Sequence, residues 1–310
     1  MSWILLATLG QFIGAVVVFL DKYIVSEEKA LPRPFVYAFY SCLLTGFWVF
    51  IFLLGYIPGM SSFGVPTFAD VTKPTIQVVA MSFLSGYTLF MALVSLYDAL
   101  KQTEATNVMP VVGAISTLAT LTLSYFLLET TISSSFVWGV LILILGTLLV
   151  AQTLPKKYTL LTMVHSGLFF GLHYITMKAL FEETNFADGF FWSRVGLVAF
   201  ALSLLMVPSY FKKITKRTKE VTKKTGFIVL LTKILAGISA FMLLKATDLG
   251  DVAVVQGLDG LKFVFILLIT IFLGSLLPDS VVKLDTRPRV VVQQMVYVLI
   301  ITIGFLILFL

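Results

Sequence analysis

Trp3-Ile4-Leu5-Leu6-Ala7-Thr8-Leu9-Gly10-Gln11-Phe12-Ile13-Gly14-Ala15-Val16-Val17-Val18-Phe19-Leu20 runs without a charged residue. Its length approaches the ~20 residues that a helix needs to cross ~30 Å of hydrocarbon. It predicts a helix from about Ser2 to Ile24, and nine further apolar runs follow it. They lie near Phe35 to Ile57, Pro74 to Leu100, Thr103 to Leu128, Ile132 to Gln152, Tyr158 to Phe181, Phe186 to Phe211, Gly226 to Thr247, Val252 to Leu276 and Val290 to Leu310. Hydrophobic residues make up 59% of the 310 and charged residues 12%, with a mean hydropathy of +1.02. A soluble domain of this length cannot hide that much apolar surface, so lipid is the expected solvent. Unpaired backbone in lipid costs several kcal/mol per group, and a barrel would show short alternating strands rather than long continuous runs. The expected fold class is therefore an all-α integral membrane protein of ten transmembrane helices, with no soluble domain beside them. No basic segment precedes the first run and no small-residue cleavage motif follows it, so it reads as a retained helix rather than a signal peptide.

The connections carry Pro, Gly, Ser and charge, as in Leu31-Pro32-Arg33-Pro34 and Pro58-Gly59-Met60-Ser61-Ser62, which is ordinary loop chemistry. The single cysteine, Cys42, lies inside an apolar run and excludes an intrachain disulfide. A net charge of +6 would fit a nucleic-acid partner, but seven of the 22 lysines and arginines fall between Lys212 and Lys224. Such a juxtamembrane segment is attracted to anionic lipid headgroups and reports topology. The lipid bilayer is the expected partner, and nucleic acid is not. Sixteen of the 22 basic residues lie in the loops after helices one, three, five, seven and nine, which predicts that those loops are cytoplasmic and both termini outside.

Two spacings recur. Gly10-Gln11-Phe12-Ile13-Gly14 in the first helix returns as Gly167-Leu168-Phe169-Phe170-Gly171 in the sixth. Leu84-Ser85-Gly86 with Phe90-Met91-Ala92-Leu93 in the third returns as Leu235-Ala236-Gly237 with Phe241-Met242-Leu243-Leu244 in the eighth. The halves 1–152 and 153–310 each hold five helices, so the second enters the membrane from the opposite side. That makes two inverted five-helix repeats, the architecture of many secondary transporters, whose substrate sites lie near the midplane.

The stretch Ala99-Leu100-Lys101-Gln102-Thr103-Glu104-Ala105-Thr106, with Pro110, Phe126-Leu127-Leu128-Glu129, Gly139 and Gly146, resembles the EamA type of the drug/metabolite transporter superfamily. The likeness extends over essentially the whole chain. The second half repeats the hinge as Ala246-Thr247-Asp248-Leu249-Gly250-Asp251-Val252-Ala253, with Gly257 where the first has Pro110. The resemblance implies a ten-helix transporter of small metabolites, often an exporter of amino acids or related compounds, with a central cavity between its halves. It also implies cytosolic termini, whereas the basic loops place them outside, and the orientation adopted follows the charge.

Ionisable groups at membrane depth cost about 2.5 to 3.5 kcal/mol on insertion scales and are functional candidates by default. Arg194, Lys233 and Lys262 qualify as cations, with Asp259 as the acid at comparable depth. Asp259 and Lys262, three apart on one helix, can pair. Gln256, Asp259 and Lys262 span an arc of roughly 120°, and Gly257 and Gly260 beside them would permit close packing or a break that frees carbonyls for a ligand. Three cations against one acid favour a substrate bearing a carboxylate or phosphate. Arg194 has a second reading, in which it snorkels toward Glu182, Glu183 or Asp188. His165 and His173, roughly 80° apart on helix six, lack the further ligands of a metal site; packing, a cavity hydrogen bond or a proton relay remain open. Asn107 stands just before Pro110, which frees the Thr106 carbonyl. Gln11 and Tyr87, polar among apolar neighbours, complete the candidate substrate-binding set. No nucleophile with its base, P-loop or dinucleotide fingerprint is present, so neither an enzyme nor a cofactor is expected.

The functional expectation is a secondary transporter, an exporter or exchanger of a small polar, carboxylate-bearing metabolite such as an amino acid. It would be multi-pass in the plasma or inner membrane, monomeric or homodimeric, with protons as a candidate coupling ion. A translocase for a lipid-linked or amphipathic substrate, and a non-transporting scaffold or sensor partnering through Lys212 to Lys224, are the alternatives. A reporter fused after Leu310 is expected on the outer face. A cytoplasmic reporter would overturn the orientation drawn from the basic loops.

Overall fold

A computed structural model describes residues 3–27, 33–60, 64–128, 134–150, 156–218, 223–274, 277–278 and 281, with 292–293, 296–297, 299–300, 303–304 and 307 near the end of the chain. Among the described residues every secondary-structure element is a helix. They are α1 (Trp3–Ser26), α2 (Pro34–Gly46), α3 (Ile76–Gln102), α4 (Ala105–Leu127), α5 (Ser134–Val150), α6 (Lys157–Glu183), α7 (Phe186–Ser203), α8 (Pro208–Thr218), α9 (Lys223–Leu249), α10 (Val252–Gly257) and α11 (Asp259–Leu273), with short 3-10 segments between some of them. Eight helical segments are long and apolar enough to cross a membrane, and α5 adds an apolar helix of 17 residues. The expected tenth helix, Val290 to Leu310, falls largely outside the described residues.

Polar side chains start several helices by taking the amide hydrogens that an N-terminus leaves unpaired. Thr75 accepts from the Val78 amide at the head of α3, and Asn185 from the Asp188 amide at α7. Asp251 accepts from the amides of Ala253 and Val254 at α10. Pro110 sits inside α4 without ending it.

Three expected helices are interrupted. The second changes at Gly46 into a 3-10 segment, Phe47–Tyr56. A Cβ at Gly46 would lie 2.2 Å from Val198 Cγ2, so α2 and α7 touch where the helix changes character. The seventh ends at Ser203, and after a short 3-10 segment Pro208 opens α8, which takes up much of the basic loop. One face of α8 buries Ile214 and stacks Tyr210 on Phe35 with ring centroids 4.9 Å apart, while Lys212, Lys213 and Lys216 face outward. The ninth is divided at Leu258, and the Gln256 carbonyl next to the break accepts from Thr117 Oγ1 at 3.1 Å.

The bundle is drawn together where small residues let backbones meet, since lipid offers no hydrophobic drive between helices. A Cβ at Gly10 of α1 would lie 2.9 Å from Leu243 Cγ of α9, and one at Gly167 of α6 would lie 2.7 Å from the Val112 carbonyl oxygen of α4. A still closer backbone approach joins α3 to α7, where a Cβ at Gly196 would stand 2.3 Å from the Ser82 carbonyl oxygen. Around these crossings α1 packs on α9 and α11, α3 on α6 and α7, and α4 on α6. Backbone cannot yield as a side-chain tip can, so Gly196→Ala is expected to destabilise the protein by about 1–3 kcal/mol. Gly226→Ala, where an added Cβ meets nothing within 4 Å, should be neutral or slightly stabilising. Thermal unfolding of the purified variants in detergent checks both.

Candidate functional site: a charged cavity at the centre of the bundle

Residues from α1, α2, α3, α4, α6, α7, α9 and α11 enclose a central cavity of about 180 Å3. Its wall is largely apolar, with Val17, Leu93, Val112, Phe170 and Leu243 among the contributors. Into it project Asp21, Lys233, His173, Arg194, Asp259 and Lys262.

At one end of the cavity, Lys233 Nζ lies 2.8 Å from Asp21 Oδ1 and 3.0 Å from the Tyr97 hydroxyl. The Tyr37 hydroxyl also donates to Asp21, and Ser41 Oγ lies 3.0 Å from the Tyr97 hydroxyl. The two tyrosine rings flank the lysine, with Nζ 4.4 Å from the centre of Tyr37 and 5.3 Å from that of Tyr97. Four helices, α1, α2, α3 and α9, meet in this cage. It meets the condition for an ion pair in a low-dielectric interior, because further hydrogen bonds and ring faces satisfy the charges. Next to it, Lys22 donates to the carbonyls of Leu100 and Thr103 at 2.7 and 3.0 Å, where the negative end of the α3 dipole favours a cation.

The second pair lies further along α1. Lys262 Nζ is 3.2 Å from Asp259 Oδ1, which also accepts from the Gln11 side-chain amide. Lys262 Cε rests against Gly14, 3.3 Å from where a Cβ would be. Seven residues of α1 separate Gly14 from Asp21, so the two pairs stand about 10 Å apart along the helix at ~1.5 Å per residue. Gln256 accepts from Ser116 Oγ at 3.4 Å, while its amide nitrogen and the Gln11 amide oxygen have no hydrogen-bond partner among the described residues.

Arg194 differs from both lysines. It is 2% exposed, and among the described residues it makes a 3.5 Å contact to Ser193 Oγ beside it, with the guanidinium over the Phe190 ring at 4.9 Å. Among the described residues no carboxylate pairs with it. Asp188, one of the acids toward which it could snorkel, is held by Thr72 and Asn185. His173 Nδ1 lies 3.1 Å from the Ser85 carbonyl; a carbonyl only accepts, so Nδ1 carries the proton and Nε2 is left as an acceptor.

Five of the ten sequence candidates, His173, Arg194, Lys233, Asp259 and Lys262, therefore share the cavity wall. Gln11 stands behind Asp259, and Gln256 ties α10 to α4. Tyr87 is partly exposed and packs on Phe169 and Phe200. His165 bonds Ser95 Oγ at 2.7 Å between α6 and α3, and Asn107 is half-buried in the first turn of α4; none of these three lines the cavity. Sequence reasoning passed over Asp21, Tyr37, Tyr97 and Ser41. It took Asp259 as the sole deep acid, but Asp21 is 5% exposed inside α1, which lowers the positive excess in the cavity from two charges to one. The signal was present, because Asp21 lies within the first predicted helix, seven residues beyond Gly14 on the same face. Among the described residues no three His, Cys, Asp or Glu side chains cluster as metal ligands.

No protein-family model and no curated protein matches the chain. A protein known from its crystal structure superposes with a TM-score of 0.63 over 97% of this chain and 96% of its own, at 17% identity. A likeness at that identity concerns the fold alone.

Lys233→Met strands Asp21 unpaired in the bundle and is expected to cost about 3–5 kcal/mol. Adding Asp21→Asn should return most of that loss. Unfolding of the single and double variants in detergent measures the coupling, and additive losses would mean that the pair does not act as one.

Proposed function

We propose that this protein is a secondary transporter of the drug/metabolite type, with ten helices in two inverted repeats, carrying a small carboxylate-bearing metabolite by alternating access. The observation that carries the reading is Arg194: a buried guanidinium lining a central cavity, with no carboxylate paired to it among the described residues. Its planar fork suits two-point recognition of a carboxylate or phosphate, and the substrate's own charge would complete a site that the protein leaves open.

Pairings between helices support the two-repeat reading. α3 packs on α6 and α1 on α9, contacts that exchange when the halves are exchanged; α4 on α6 and α1 on α11 form a second such set. One set breaks the symmetry. α3 meets α7 directly at Gly86 and Gly196. On the equivalent side, Trp48 of the segment following α2 fills the space over Gly237 of α9, with a Cβ there only 1.5 Å from the indole nitrogen. One seam shut and its counterpart wedged is what one end state of a rocking carrier would present.

A specific observation favours the amphipathic-substrate alternative as well. An outward-open apolar cleft of about 450 Å3 lies between α9 and the 3-10 segment, bordered by Phe47, Phe50, Leu54, Leu230 and Ile234. Lys233 borders both this cleft and the central cavity, and Trp48 lines the cleft beside it.

Reconstituted protein is expected to exchange an organic carboxylate across the vesicle membrane. Arg194→Gln should lower that flux at least about tenfold, the scale of one lost charge-assisted hydrogen bond, and Arg194→Lys should retain part of it. Full flux in Arg194→Gln, or flux abolished only by neutralising Lys212 to Lys224, would sink the reading.

A further inference from the structure

Resting on the transporter reading, we infer that the substrate is an organic monoanion with an apolar body and no ammonium group, rather than a zwitterionic amino acid. The inference follows from the charges that face the cavity and from what each already holds. Three cations and two carboxylates line it. Asp21 is taken by Lys233 and the Tyr37 hydroxyl. Asp259 is taken by Lys262 and the Gln11 amide. Each carboxylate carries its own lysine within 3.2 Å or less, so each pair is close to neutral when felt from the cavity.

What remains is a single positive charge on Arg194. A carboxylate brought to it makes the site neutral. A zwitterion would bring in an ammonium as well, and that group would find no unneutralised acid among the described residues lining the cavity. Beside either carboxylate it would sit next to the lysine already there, where like charges at short range in a poorly screened interior repel strongly. A dianion would overshoot in the other direction, leaving one negative charge without a free cation.

The rest of the wall agrees with this assignment. His173 offers Nε2 only as an acceptor, which suits a hydroxyl and gives nothing to a second carboxylate. Val17, Val18, Leu93, Val112, Phe170 and Leu243 supply apolar contact that attracts hydrocarbon, while Thr45, Ser116, Tyr174 and Ser239 add neutral hydroxyls that bring no charge to offset an ammonium. The specificity is negative as much as positive: the lysines that hold Asp21 and Asp259 also exclude an ammonium.

Matched ligands test the inference on the purified full-length protein in detergent, read by thermal stabilisation and by titration. Hydrocinnamate, phenylalanine and phenethylamine share one skeleton as anion, zwitterion and cation; isocaproate, leucine and isoamylamine do the same for a branched aliphatic body. In at least one series the monoanion is expected to bind at least about tenfold more tightly than its amino acid, and the amine not at all. Arg194→Gln, verified as folded by its own unfolding transition, should lose the response. An amino acid binding as tightly as its deaminated partner, or more tightly, would overturn the monoanion assignment and leave the carboxylate transporter standing. Stabilisation by the amines, or by no carboxylate in either series, would overturn both.

Discussion

A charge inside hydrocarbon has nowhere to turn but inward, and the pair of Asp21 with Lys233 is where this constraint organises the bundle. The two residues are far apart in the chain and 2.8 Å apart in space. Reaching each other fixes the rotation of α1 and α9. With Asp21 turned inward, Gly14, Val17 and Val18 on the same face of α1 line the cavity. With Lys233 inward, so do Ala236, Ser239 and Ala240 of α9. The Ser239 hydroxyl, donating to the Gly10 carbonyl at 2.8 Å, depends on that rotation and on the absence of a side chain at Gly10. Tyr37, Tyr97 and Ser41 then bring α2 and α3 to the same point. Removing one partner therefore affects four helices rather than two.

The long helices were legible because lipid imposes a length, and any apolar run of that length has one available conformation. Their interruptions were less so. The change at Gly46 coincides with a close contact to Val198, in a helix distant in sequence, and no local pattern announces it. The end of α7 could have been placed at Val207-Pro208, since Pro opens helices and does not continue them, but the apolar run on either side hid the stop. Gly257 and Gly260 did mark the break near Leu258. The lysines and Arg194 stood out by being charged at depth. Asp21 did not, because within the first predicted helix it stands beside Lys22 close to the helix end, where charged residues are ordinary. What distinguishes Arg194 from Lys233 and Lys262 is that no carboxylate pairs with it among the described residues, a property of the assembled bundle that no single segment encodes.

The three cations also differ in kind. Lys233 and Lys262 are point charges, each closed against its own acid, and structure alone accounts for them. Arg194 brings a planar fork of donors to the cavity wall, and its place over Phe190 and its 3.5 Å contact to Ser193 Oγ leave most of its N–H groups without a partner among the described residues. An unsatisfied buried charge is among the costlier features a fold can retain. A structural explanation would require a partner that the described residues do not provide, whereas a ligand site accounts for the open fork directly.

Each of the two seams discussed above adjoins one of these cations. Gly196, at the closed crossing of α3 and α7, lies two residues from Arg194, and the Arg194 carbonyl abuts Gly46, where α2 gives way to its 3-10 segment. Gly237, under Trp48, lies one turn from Lys233, whose carbonyl accepts from the Trp48 indole N–H at 3.3 Å. Opening one seam and closing the other would therefore shift Arg194 and Lys233 relative to each other, with the cavity between them. If the protein is the proposed carrier, a ligand held by Arg194 and contained by the neutral Asp21–Lys233 cage would have a different affinity for the two arrangements, and only such a difference lets a substrate bias a conformational equilibrium. On the transporter reading, the wedge at Trp48 and the unpaired guanidinium are then parts of one device, joined through helices that the glycines allow to slide closely past one another.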